Sequence, residues 1–178
     1  MDISNPTTRS MIYRGLCLVI LAAGVQVGCN TLKPKEMSQT EYLKQMDTLA
    51  TTFATLEKTA QDAVTQSNGD TTKLFHTLED VRSKKDAYIK SLQALTPPEK
   101  YKEFHSVLLE WRLKEQENEG KMLEGFRQYS KDLSEKTAAS IDQLSKENDQ
   151  IGKTYEAKTI AVAKKNGFDS VEKFMAVK

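Results

Sequence analysis

The chain reads as an all-α protein, an antiparallel four-helix bundle with a short C-terminal helix, and three observations carry that expectation. From Ser38 onward no run of β-branched residues alternates with period two. Apolar residues instead recur at spacings of three and four along several long stretches. Within these stretches only Pro97 and Pro98 interrupt the pattern.

The elements follow in order. Ser38-Gln-Thr-Glu41 is a capping box that starts the first helix, with Tyr42, Met46, Leu49, Phe53, Leu56, Ala60 and Ala63 on its inner stripe. Ser67-Asn68-Gly69-Asp70 stops it and offers Asp70 as the next N-cap. The second stripe runs through Leu74, Leu78, Val81, Lys85, Tyr88, Leu92 and Leu95, so one lysine sits on an otherwise apolar seam, where its head is expected to snorkel outward. Thr96-Pro97-Pro98-Glu99 then predicts a sharp corner with Thr96 as cap and a proline at the first helical position.

The third stripe comprises Tyr101, Phe104, Leu108, Trp111, Glu115, Asn118, Met122, Gly125, Tyr129 and Leu133. The next comprises Ile141, Leu144, Asn148, Ile151, Tyr155 and Ile160, with no Pro or Gly-Asn turn between the two. Either the chain reverses near Tyr129–Ser134, giving the bundle, or three long helices form, the last a continuous rod of about 65 residues and roughly 100 Å. The bundle is expected, because a rod leaves its distal apolar stripe without a partner. Lys164-Lys-Asn-Gly167 stops the last long helix. Asp169-Ser-Val-Glu172 caps a short one whose Phe168, Val171 and Phe174 can fold back over the bundle end.

The N-terminus is of a different kind. Arg9 and Arg14 precede an uncharged run from Gly15 to Leu32, about 18 residues, whose apolar part ends near Val27 in small residues and which falls short of the roughly 20 residues of a spanning helix. Gln26-Val27-Gly28-Cys29 resembles the lipobox of the bacterial lipoprotein signal peptide at three of four places, with Gln26 where an aliphatic residue is usual. The resemblance implies cleavage between Gly28 and Cys29 and lipidation of Cys29, which anchors the protein to a membrane. It further implies residence in the bacterial cell envelope. In a Gram-negative cell Asn30 after the cysteine points to the periplasmic face of the outer membrane. Residues 1–28 are then the signal, 29–37 the lipidated N-terminus and tether, and 38–178 the bundle. The ending Lys164–Phe174 also resembles those of uncharacterised all-helical envelope lipoproteins.

Charge and residue inventory narrow the chemistry. Removing residues 1–28 takes away Arg9, Arg14 and Asp2, so the 26 basic and 25 acidic side chains become 24 of each. A neutral mature chain has no field to draw a phosphate backbone, and no nucleic-acid partner is expected. Neither His76 nor His105 belongs to an HExxH, ExxH or CxxCH motif. His76 should face solvent, and His105 lies at a boundary. The soluble four-helix b-type haem cytochromes share a Met early in the first helix and a Pro-Pro corner, here Met46 and Pro97-Pro98. They also need a histidine in the last helix, and none follows His105. No GxSxG elbow or glycine-rich phosphate loop occurs, and Cys17 leaves with the signal while Cys29 carries lipid. No catalytic residue, metal ligand or cofactor is therefore assigned.

One irregularity remains, the polar residues on the stripes. If the chain reverses near residue 131, Asn118 comes level with Leu144 and Glu115 with Glu147–Asn148, a possible polar layer of Glu115, Asn118 and Asn148. Alternatively the stripe drifts, Leu113 and Leu123 enter the core, and the polar residues face water. Two functional expectations follow. One is a membrane-anchored, non-catalytic helical module that contacts a protein partner or serves a structural role. The other is a lipoprotein that binds a small ligand or metal at the polar layer.

Overall fold

The structure, a computed structural model, describes residues 36–67 and 70–176. The lipobox residues Gly28 and Cys29, the tether up to Lys35, and Asn68-Gly69 lie outside the described residues. The described chain is an all-α bundle: α1 (Gln39–Gln66), α2 (Thr71–Gln93), a 3-10 turn (Glu99–Tyr101), α3 (Lys102–Asp132), α4 (Glu135–Lys165) and α5 (Val171–Met175). α2 packs between α1 and α3, α3 packs on α4, and α5 folds onto the end of α4.

Local chemistry sets most of the boundaries. The Ser38 hydroxyl accepts from the Glu41 N–H at 3.2 Å, and the Asp70 carboxylate accepts from the Lys73 N–H at 2.9 Å. At the proline corner the expected Thr96 cap does not form. Each proline forces the residue before it into extended backbone, so helical geometry starts only after Pro98, and no side chain caps the 3-10 turn. The Thr96 carbonyl instead accepts from the Met37 N–H at 3.0 Å, while Glu36 pairs with Lys102 at 2.5 Å. Met37 packs against the core, so the folded part begins at least two residues before Ser38. At the far end Ser170, one residue after the expected Asp169, caps α5 by accepting from Lys173 N–H.

The rod does not form. Leu133 adopts left-handed backbone (φ 48°), and its N–H closes α3 on the Tyr129 carbonyl. Asp132 then receives the Ser134 N–H at 2.9 Å and the Thr137 hydroxyl at 2.9 Å, which turns the chain into α4. Leu133 leaves the stripe as a result and is 71% exposed. The returning helix runs antiparallel with the expected register: Asn118 meets the Leu144 carbonyl at 2.9 Å. α4 approaches closely at Gly125, where a β-carbon would sit 3.0 Å from Ile141.

The core lies at the end where the chain enters and leaves. Tyr42, Leu92, Tyr101 and Phe174 are each almost wholly buried there. Phe174 from α5 reaches Tyr101, Phe104 and Phe168 with ring centroids 5.0–5.6 Å apart, an edge-rich aromatic cluster. Gly167 (φ 81°) permits the reversal that returns Phe174 to this end, as its sequence position predicts. The α3–α4 turn marks the opposite end, since the 31 residues of α3 extend about 46 Å.

A leucine in left-handed backbone costs about 1 kcal/mol that glycine does not pay. Leu133→Gly should therefore raise stability by up to that amount, about 2–4 °C in thermal unfolding followed by circular dichroism. A lower melting temperature would show that the leucine side chain contributes at the turn despite its exposure.

Candidate functional site

The middle of the bundle is charged rather than apolar. Lys85 occupies its stripe position on α2, but its side chain is only 6% exposed and does not snorkel. Its ammonium lies 2.7 and 2.8 Å from the two Glu119 oxygens of α3 and 2.5 Å from Glu57 of α1. A cation at that depth is tolerated only because two carboxylates follow it inward. Burial alone would lower the lysine pKa, but the two carboxylates outweigh it and hold the ammonium above its ordinary range. Glu119 is pushed up by burial, against the opposing pull of Lys85.

The neighbouring turn of α3 extends this layer. Arg112 is buried, pairs with Glu115 at 2.5 Å, and lays its guanidinium 3.7 Å from the Phe53 ring centroid and 4.5 Å from that of Trp111. Gln116 donates to the Arg82 carbonyl at 2.9 Å and to Asp86 at 2.8 Å, fastening α3 to α2. No space for a water remains among Phe53, Lys85, Arg112, Gln116 and Glu119. Glu57, Lys85 and Glu119 thus join three helices through one ammonium, with the Arg112–Glu115 pair and the Gln116–Asp86 bond beside them.

The expected layer of Glu115, Asn118 and Asn148 does not assemble. Asn118 is buried and donates to the Leu144 carbonyl and, at 3.3 Å, to Asn148, so these two residues do meet between α3 and α4. Glu115 turns to Arg112 on the other flank instead. The cause is the position of α3, which has the α1–α2 hairpin on one side and α4 on the other. Residues three apart on a helix differ by about 60° in direction, enough to divide them between those flanks. The drift reading is half right: Leu123 is buried, whereas Leu113 is 45% exposed. Among the described residues no group of three His, Cys, Asp or Glu side chains is placed to hold a metal ion.

A second polar joint lies in the proximal core. His105 is buried rather than at a boundary, and its Nδ1 lies 3.2 Å from the Tyr42 hydroxyl. The ring also bonds the Leu92 backbone, so α1, α2 and α3 meet at one imidazole. Burial pushes the histidine pKa down, with the Leu92 bond opposing, and burial likewise raises that of Tyr42. His76 faces solvent as expected. Trp111 is half-buried and stacks on Tyr155, whose hydroxyl donates to Glu110 at 2.5 Å. Burial first, and then that carboxylate, push the Tyr155 pKa up to about 12. An open groove of about 250 Å³ between α2 and α3 carries Glu79, Arg82, Asp86, Glu124 and Arg127, both signs together.

Two predictions test these joints. Lys85→Ala strands Glu119 and should cost about 3 kcal/mol in denaturant unfolding, whereas Lys85→Met with Glu119→Leu should recover most of that loss. A double variant as unstable as the single would show that the ion pair contributes net stability that apolar packing cannot replace. For His105 the folded pKa lies below the unfolded value of 6.5, so the unfolded chain protonates first and stability falls as pH drops below about 6.5. His105→Gln should remove up to about 1.4 kcal/mol per pH unit of that slope between the two pKa values. An unchanged slope in stability measured from pH 7 to 5 would contradict this.

No protein-family model matches the chain, and no curated protein or solved structure matches it either.

Proposed function

We propose that the chain is a lipid-anchored protein of the bacterial envelope whose bundle is a non-catalytic interaction or structural module. The observation that carries this is Gln26-Val27-Gly28-Cys29 at the end of an uncharged run behind Arg9 and Arg14, which resembles a lipoprotein signal. Lipid on Cys29 supplies the membrane attachment, because a neutral mature chain lacks a polybasic surface to do so. In a Gram-negative cell the anchor lies in the periplasmic face of the outer membrane.

The fold suits a tethered module. The chain joins the bundle at its closed end, where Met37 bonds to Thr96. At the other end Phe126 and Tyr129, in the last turns of α3, and Leu133, in the turn that follows, are all exposed. Apolar groups presented together are what a protein partner can cover. The ligand-binding alternative gains no comparable support, since Asn118 and Asn148 bond to each other and to the Leu144 backbone.

Metabolic labelling with a clickable fatty acid, combined with a photo-crosslinking residue at position 129, tests both halves in cells. The wild type should take up label and Cys29→Ala should lose it. The residue at 129 should yield a discrete adduct that an equivalent probe at exposed Lys153 does not. Equal labelling of both proteins would refute the anchor, and adducts independent of position would refute the module.

A further inference from the structure

The polar layer divides the bundle into two unequally packed halves. On the proximal side the buried set includes Tyr42, Met46, Phe53, Tyr88, Leu92, Phe104, Tyr155 and Val162, contributed by all four long helices. On the distal side, among the described residues, the buried apolar side chains are only Leu56, Val81 and Leu123, with Asn118 buried where it bonds Leu144. Every described residue of α2 from 71 to 80 and of α4 from 135 to 154 keeps some contact with water. Leu74, Leu78, Ile141, Leu144 and Ile151 face inward but stay half-buried.

Buried apolar area is what holds a helix in place, because most helical stability in a protein comes from packing of its apolar face rather than from propensity. The distal half therefore has little to keep it closed, while the proximal half has an aromatic core. Between them stand groups that cannot separate singly. Parting α1 from α2 breaks the Lys85–Glu57 pair, and parting α2 from α3 breaks the Lys85–Glu119 pair and both Gln116 bonds at once, so the layer yields only when several directional, charge-assisted bonds are lost together.

We infer that the bundle opens from its tip as a unit, with the layer of Glu57, Lys85, Gln116 and Glu119 as the stop beyond which opening does not pass. Opening frees Leu74, Leu78, Val81, Leu123, Ile141 and Leu144, an apolar lining that the closed state holds between the hairpins. The proximal half remains folded throughout and keeps the tip in register for closing. This device does not depend on the lipid anchor.

Hydrogen exchange with mass spectrometry on the full chain in detergent micelles tests the division. Amides of residues 58–66, 71–80 and 136–152 should exchange at least about 100-fold faster than those of 42–53, 86–92, 104–112 and 155–163, the spread expected of separate opening units. Val81→Ala should accelerate the distal amides alone. Glu119→Gln should accelerate them too and carry the boundary toward Phe53 and Tyr88, leaving 42–46 and 159–163 as protected as in the wild type. Uniform protection in the wild type, or equal acceleration of both halves by Val81→Ala, would overturn the proposal.

Discussion

A buried ammonium stays charged only where carboxylates come with it, and Lys85 imposes that requirement on two other helices. Glu119 must face α2 and Glu57 must reach across from α1. Those demands orient α3. With Glu119, Gln116 and Arg112 turned toward the α1–α2 hairpin, Asn118 is directed to α4 and finds its bonds there. The register of α3 against α2 follows from the same pair, because sliding either helix by one turn would leave a charge without its partner. Apolar contacts are non-directional and tolerate slippage, so a layer of this kind contributes more to uniqueness than to net stability.

The proximal core complements that layer by supplying the burial that the layer does not. Tyr42 of α1 and Phe174 of α5 close on Tyr101 beside the proline corner, Phe104 of α3 packs on Phe174, and the His105 ring ties three helices through one heterocycle. Among its described residues the distal half has rings and charges at its surface but buries neither. The molecule thus grades from a tightly packed end through a directional middle to a loose tip, and α1 to α4 all run the length of that gradient.

Much of this was legible in the residues. Capping by Ser38 and Asp70, the stop at Gly167 and the return of Phe174 follow from local chemistry, and local chemistry reads directly from sequence. The Asn118–Leu144 level follows from the antiparallel geometry once the reversal is placed. The α3–α4 turn was harder, because Leu133 is a poor residue for left-handed backbone and Asp132, Ser134 and Thr137 make the turn with side chains rather than with Gly or Pro. The polar layer was partly hidden for another reason. Leu108, Arg112, Gln116, Glu119 and Leu123 recur at helical spacing, but hydrophobic periodicity cannot register a stripe whose middle members are polar. Lys85 alone stood out, and its burial depended on Glu57 and Glu119, which only the tertiary fold brings to it.

The bond between Met37 and the carbonyl of Thr96 has a mechanical consequence. A pull on the chain upstream of Glu36 enters the bundle at that bond and at the Glu36–Lys102 pair, before it reaches α1. Tension is shared at once with the proline corner and the helix that follows it. The load therefore falls on the most fully buried part of the molecule, and the tip lies off its path.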